Sequence, residues 1–277
     1  SKLQRFKKPF RMSVKSNIGV VTDGLVFYVD AGNNLSYPGN GGTWSDLIRD
    51  KDGSFNNMDD INNPSNNYNS ANGGFIQFDG VNEYVLTTFS DIYTYMGAFT
   101  ISYWIKTTST ALGAIFGLSS GDTGAPNFYS EAFSVVTNRS TTGSVSGYTR
   151  LFLRDEGPFG NGSSLNTFQA SWNDAINDGN WHHVSISYNN LSTPVATVYK
   201  DGVSLTITYL PADRDQINLS YVNNPAERDP AIGAAYGRDD LANAFFTADI
   251  AALSFYDRVL TSSEVAQNYN ALKNRFV

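Results

Sequence analysis

From Asp23 onward the chain alternates short runs of apolar, β-branched and aromatic residues with clusters of Gly, Asn, Ser and Asp. Runs of this length bounded by turn residues predict a sandwich or barrel of many strands. GLVFYVDA (24–31) is the first strong strand, and FIQFDG (75–80) and EYVLTT (83–88) flank a turn around Gly80 and Asn82. In AFTISYWIKTT (98–108), Phe99, Ile101, Tyr103 and Ile105 fall on one face. Thr100, Ser102, Trp104 and Lys106 fall on the other, because successive strand side chains point to opposite sides. AIFGLSS, EAFSVVTN and YTRLFLRDE supply strands across the middle. WHHVSISYN (181–189), PVATVYKDGVSLTIT (194–208), AIGAAYG (231–237) and DIAALSFYD (249–257) follow. Asp201-Gly202 supplies the positive φ of a tight hairpin. Residues 32–74 are rich in turn residues; a structureless loop of that length is unusual, so an ordered segment wrapping the surface is expected.

The period changes once, near the end. Thr261 and Glu264 have the spacing of a capping box, and Val265, Tyr269, Leu272 and Phe276 then recur at helical spacing. Residues 1–22 carry no sustained period and read as an extended arm, or an added strand near Ile18 to Val21. The organisation expected is therefore an arm (1–22) and one domain (23–277), an all-β, two-sheet antiparallel sandwich of jelly-roll type with one short C-terminal helix. A chain of 277 residues can fill one such sandwich.

Charge sharpens the division between arm and body. Six cations, Lys2, Arg5, Lys7, Lys8, Arg11 and Lys15, precede the first acid, Asp23, which leaves 13 basic residues against 26 acidic ones in the body. With Phe6 and Phe10 interleaved, the arm reads as a docking segment for an acidic partner, the alternative being a solvated terminal tail. Nucleic acid ranks below protein as that partner, because the acidic body opposes spreading over a polyanion. The chain has no cysteine, which excludes disulfides, thiolate metal sites and cysteine nucleophiles. No run of 18 apolar residues is present to span a membrane. The start, SKLQRFKKPFRMS, lacks the apolar stretch of a signal peptide, so cytoplasmic synthesis without export is expected.

Five segments together resemble the concanavalin A-like laminin-G/pentraxin superfamily: GLVFYVDA, IQFDGVNEYV (76–85), AFTISYWIKTT, GNWHHVSISYN (179–189) and DIAALSFYDRVLTSSEVAQNYN (249–270). A narrower likeness, in VTDGLVFYVDAGNNLSYPGNGGTWSDLI (21–48) and NSANGGFIQFDGVNEYV (69–85), is to laminin-G-like domains of tailed-phage and marine-virus structural proteins. The resemblance implies a jelly roll, and the narrower one a virion component.

Candidate chemistry is sparse. Glycoside hydrolysis needs two carboxylates about 5–10 Å apart; the E-x-D-x-x-E pattern of glucanases of this fold begins at none of Glu83, Glu131, Glu156, Glu227 or Glu264. No enzyme is expected. His182 and His183 are adjacent, so on a strand they point apart and cannot share a metal. The resemblance implies structural calcium at the sandwich rim, for which Asp30 with Asn33, and Asp79 with Asn82, are the oxygen ligands on offer. ADIAA (248–252) departs from the family's G-x-I-D-E, placing Ala251 where an acid would stand. Tyr37, Trp44, Tyr68, Phe159 and Trp172 lie in or near loops and are the candidate sugar platforms. The expectation is a phage virion protein, decorating a capsid and docked to other virion proteins by its arm. The alternative is a carbohydrate-binding adhesin module on a tail or fibre that recognises host-surface glycans; a glycan-active enzyme comes third, disfavoured by the missing carboxylate pattern. Whether the protein self-associates is left open.

Overall fold

The computed structural model describes residues 19–58, 67–119, 131–155, 166–218, 229–236 and 242–277. Two antiparallel sheets, of eight and eleven strands, pack face to face. The first sheet runs Val203–Ser204, Val195–Lys200, Trp181–Asn189, Ala98–Lys106 and Thr247–Tyr256; along the far side of that last strand lie Leu25–Asp30 and Phe75–Asp79, with Tyr68–Asn69 outermost. The second runs Thr208–Arg214, Thr167–Asn173, Gly143–Arg154, Glu131–Ser140, Gly113–Ser119, Ala231–Ile232, Tyr84–Thr87, Gly53–Asn56 and Thr43–Trp44. Ala235–Tyr236 joins it as a parallel neighbour of Gly113–Ser119. The sandwich expected from the alternation is the one observed.

The central strands behave as their pattern dictates. Phe99, Ile101, Tyr103 and Ile105 enter the core, opposite Val184 and Ile186 of an unbroken nine-residue ladder that runs from Trp181↔Lys106 to Asn189↔Ala98. On the outer face, the Thr100–Ser187 and Ser102–Ser185 hydroxyl pairs meet at 2.8 Å each. Buried polar groups need such partners, and these two rows satisfy one another across the strands. The hairpin at Asp201-Gly202 forms as expected, with both residues at positive φ.

The capping box at Thr261 and Glu264 is made on both sides and starts the helix Ser262–Leu272. That helix and the turn after it lie across the outer face of the first sheet. Trp104 is stacked there by Tyr269 (ring centroids 5.7 Å apart) and Phe276 (4.5 Å). Arg275 locks the end down: its guanidinium meets both carboxylate oxygens of Asp30, at 2.8 and 3.0 Å, and the carbonyls of Asn72 and Gly74. Residues 19–22 form no strand. Gly19 and Val21 dock instead on the helix, through Gln267 and Asn268, with Tyr256 Oη on the Val21 carbonyl.

In the turn-rich stretch after Ala31, residues 46–51 are held by one acid. Buried Asp46 accepts backbone N–H groups from Tyr28, Ile48, Arg49 and Lys51. This single carboxylate ties the loop 46–51 to the first long strand.

Candidate functional site

The helix seals much of one sheet face. The outer face of the second sheet carries chemistry of a different kind. In Gly143–Arg154, Leu151 and Leu153 point into the core, so alternation turns Arg150, Phe152 and Arg154 outward. In Thr167–Asn173, Phe168, Ala170 and Trp172 point inward, and Thr167 and Gln169 face out beside them, with Phe152 opposite Gln169 and Arg154 opposite Thr167. Asp213, from Thr208–Arg214, completes the group.

These side chains are wired in series. Asp213 accepts from Thr167 Oγ1 at 3.0 Å and from Gln169 Nε2 at 2.5 Å. Gln169 Oε1 in turn accepts from Arg150 Nη1 at 3.2 Å. The Arg150 guanidinium sits over the Phe152 ring, 5.1 Å from its centre. Arg150 and Phe152 are 4% and 6% exposed, and Arg154, Thr167, Gln169 and Asp213 are half-buried. The carboxylate orients the amide and the amide orients the guanidinium. Planar donors and acceptors are thus held beside a ring at no further ordering cost on binding.

The residues singled out in the sequence lie elsewhere. Trp44 and Trp172 point inward from their strands, and Tyr37 packs against Phe55 and Tyr68; all three are core residues without a ring face for a ligand. Trp172 Nε1 donates to Asp174 at 3.0 Å, an acid that burial pushes up to about 6. Tyr68 is half-buried against the same core. Turn-rich flanks suggested loops, but inward burial of large rings outweighs the surrounding composition. Phe159 and the arm residues Lys2, Arg5, Phe6, Lys7, Lys8, Phe10, Arg11 and Lys15 lie outside the described residues.

The proposed calcium ligands do not fit a cation. Both oxygens of Asp30 are engaged by Arg275, and a guanidinium occupies the place a metal would need. Asn33 Oδ1 caps Leu35 N, and Asp79 Oδ1 caps Val81 N. Asn82 is exposed, and its carbonyl accepts from Asn57. Asp30 pairs with Ala252 and Asp79 with Thr247, a separation of roughly 17 Å along one strand, so the two pairs do not converge. The described residues contain no group of three or more His, Cys, Asp or Glu able to hold a metal.

The two histidines have separate surroundings. His183 lies under the helix against Trp104 and Tyr269, and burial pushes its imidazole down to about 4. His182 meets Asp201 through Nδ1 at 2.7 Å and Asp178 through Nε2 at 3.0 Å. Burial alone would lower its pKa, but the hydrogen bonds to Asp201 and Asp178 outweigh that and raise it. Burial would likewise raise Asp178, yet bonds from Asn180 and His182 bring it to about 2. A raised histidine stabilises the fold fully below its unfolded value of about 6.5, and that contribution disappears as pH rises through the folded value. The stability gap between the wild type and His182→Gln should therefore be widest in mildly acidic buffer and close toward alkaline pH. Urea titrations across that range check this, and a gap independent of pH would rule the clasp out.

The model of the concanavalin A-like lectin/glucanases superfamily matches residues 79–266. The chain belongs to that superfamily. No curated protein matches it. Among solved structures, this lectin/glucanase-type domain is similar to Trypanosoma rangeli sialidase in complex with the inhibitor DANA. The identity is 15% and the TM-score 0.51, over 90% of this chain and 33% of that one. It is also similar to the binding domain of botulinum neurotoxin serotype D/C, at 13% identity and a TM-score of 0.53, over 90% of this chain and 52% of that one. It spans about a third of the sialidase and about half of the toxin domain. Likeness at this identity shows the fold alone. These neighbours are not virion proteins, so the capsid role expected above rests on sequence resemblance alone.

Proposed function

We propose that this domain is a carbohydrate-binding module, acting by binding rather than catalysis, and that glycan is held on the outer face of the second sheet. The observation that carries this reading is the network Thr167–Asp213–Gln169–Arg150 beside the Phe152 ring. Its half-buried members Thr167, Gln169 and Asp213 offer fixed donors and acceptors to the paired hydroxyls of a pyranose, with Arg150 and the Phe152 ring, 4% and 6% exposed, buried behind them. Membership of a lectin and glucanase superfamily and the sialidase-like fold support it.

A glycan-array screen with the full chain tests the proposal. Binding to a defined glycan class is expected. One lost hydrogen bond is worth about 0.5–1.5 kcal/mol net, so Gln169→Ala and Asp213→Asn should each weaken binding about 2- to 10-fold. Full affinity in both variants would move the site off this face.

A second reading rests on the resemblance of residues 21–48 and 69–85 to tailed-phage and marine-virus structural proteins: the module is fixed to a phage particle through the six-cation arm, residues 1–22. Deleting residues 1–15 should then abolish cosedimentation with particles while leaving glycan binding intact; retained cosedimentation removes the anchor.

A further inference from the structure

Three of the four tryptophans, Trp44, Trp104 and Trp172, are buried. Trp181 alone is half-exposed, on the outer face of the first sheet beyond the end of the helix. Strand register sets it at the head of a row: Trp181 lies opposite Lys106, Lys106 opposite Asp249, and Asp249 opposite Gln77. All four are half-exposed, and their neighbours Ile105, Ile250 and Ile76 point into the core. Four adjacent strands thus present an indole, an ammonium, a carboxylate and an amide in line over about 14 Å.

Contacts along the row hold these groups in place. Lys106 Nζ and Gln77 Nε2 each meet Asp249, at 3.2 Å. Lys106 Nζ also lies 5.9 Å from the Trp181 ring centre and 5.8 Å from that of Phe75. Phe75 braces the indole edge-on at 5.2 Å, and Phe276 packs against it at 4.7 Å. The Lys106 and Asp249 side chains are 39% and 16% exposed. An ion pair so placed contributes about 0–1 kcal/mol to stability, so it can be altered without unfolding the sheet. Its charges cancel, which disfavours a charged ligand.

We infer that the row Trp181–Lys106–Asp249–Gln77 is a second carbohydrate subsite, suited to a neutral hexopyranose. The sugar's apolar face lies on the indole, and its hydroxyls take donors from Lys106 and acceptors from Asp249. This subsite is on the opposite side of the sandwich from the face proposed above and does not depend on it.

Trp181 reports on the site by its own fluorescence. In the full chain, acrylamide should quench mainly Trp181, and Trp181→Phe should remove most of the quenchable signal. Methyl glycosides of glucose, galactose, mannose and N-acetylglucosamine serve as probes in the millimolar range. At least one is expected to reduce quenching about twofold or more, with the protection lost in Lys106→Met and Asp249→Asn and kept in Gln169→Ala. The subsite is overturned if no probe protects, if protection survives in Lys106→Met and Asp249→Asn, or if Gln169→Ala abolishes it.

Discussion

Asp46→Ala is expected to lower stability by about 3–5 kcal/mol, because each buried donor left without its acceptor costs about 1–3 kcal/mol and only part of the loop can turn to water. Four backbone N–H groups depend on this one carboxylate, from Tyr28 on the first long strand and from Ile48, Arg49 and Lys51 in the loop. Asp46→Asn keeps the shape and one acceptor oxygen, so about half that loss is expected. Urea unfolding at neutral pH gives both values, read as a shift of midpoint at unchanged slope. A loss below about 1 kcal/mol for Asp46→Ala would show that the loop is held by packing alone.

Trp104→Ala should cost about as much, roughly 3–5 kcal/mol, as large-to-small changes at buried aromatics do. Trp104 is the floor on which Tyr269 and Phe276 stack, so its loss empties the interface between sheet and helix. Trp104→Phe retains a ring for stacking and should cost about 1–2 kcal/mol. The same unfolding experiment distinguishes the two. If both variants lose the same small amount, the helix is held by Arg275 and its cap, and the stack is incidental. A second readout is the far-ultraviolet helix signal, which should fade before the β signal in Trp104→Ala and together with it in the wild type.

How far the sequence could be read depended on the physics of each element. The strand Ala98–Lys106 was legible because one face is core and the other is not. The helix was legible because its cap is local, within four residues. Thr167–Asn173 went unread although Phe168, Ala170 and Trp172 alternate there, since small and polar residues between them look like loop. Thr208–Arg214 was hidden by Pro211, which a strand tolerates at a sheet edge. The sugar platforms were misplaced because loop-like flanks say nothing about which way a ring turns. The outward set Arg150, Phe152 and Arg154 was in principle readable from its alternation with Leu151 and Leu153. The bond from Arg275 to Asp30 spans 245 positions, and no local pattern announces it. It also gives Asp30 a guanidinium partner, where the calcium reading treated it as a carboxylate still seeking a cation.

The docking of Gly19 and Val21 on the helix has a mechanical consequence. Tension applied through the preceding residues reaches the bonds to Gln267, Asn268 and Tyr256 first. Behind them stands Leu25–Asp30, zipped lengthwise to Thr247–Tyr256, so its ladder of transverse bonds is loaded in shear and shares the force among several rungs at once. A pull along that strand from its N-terminal end would therefore meet the helix bonds first and then the whole ladder.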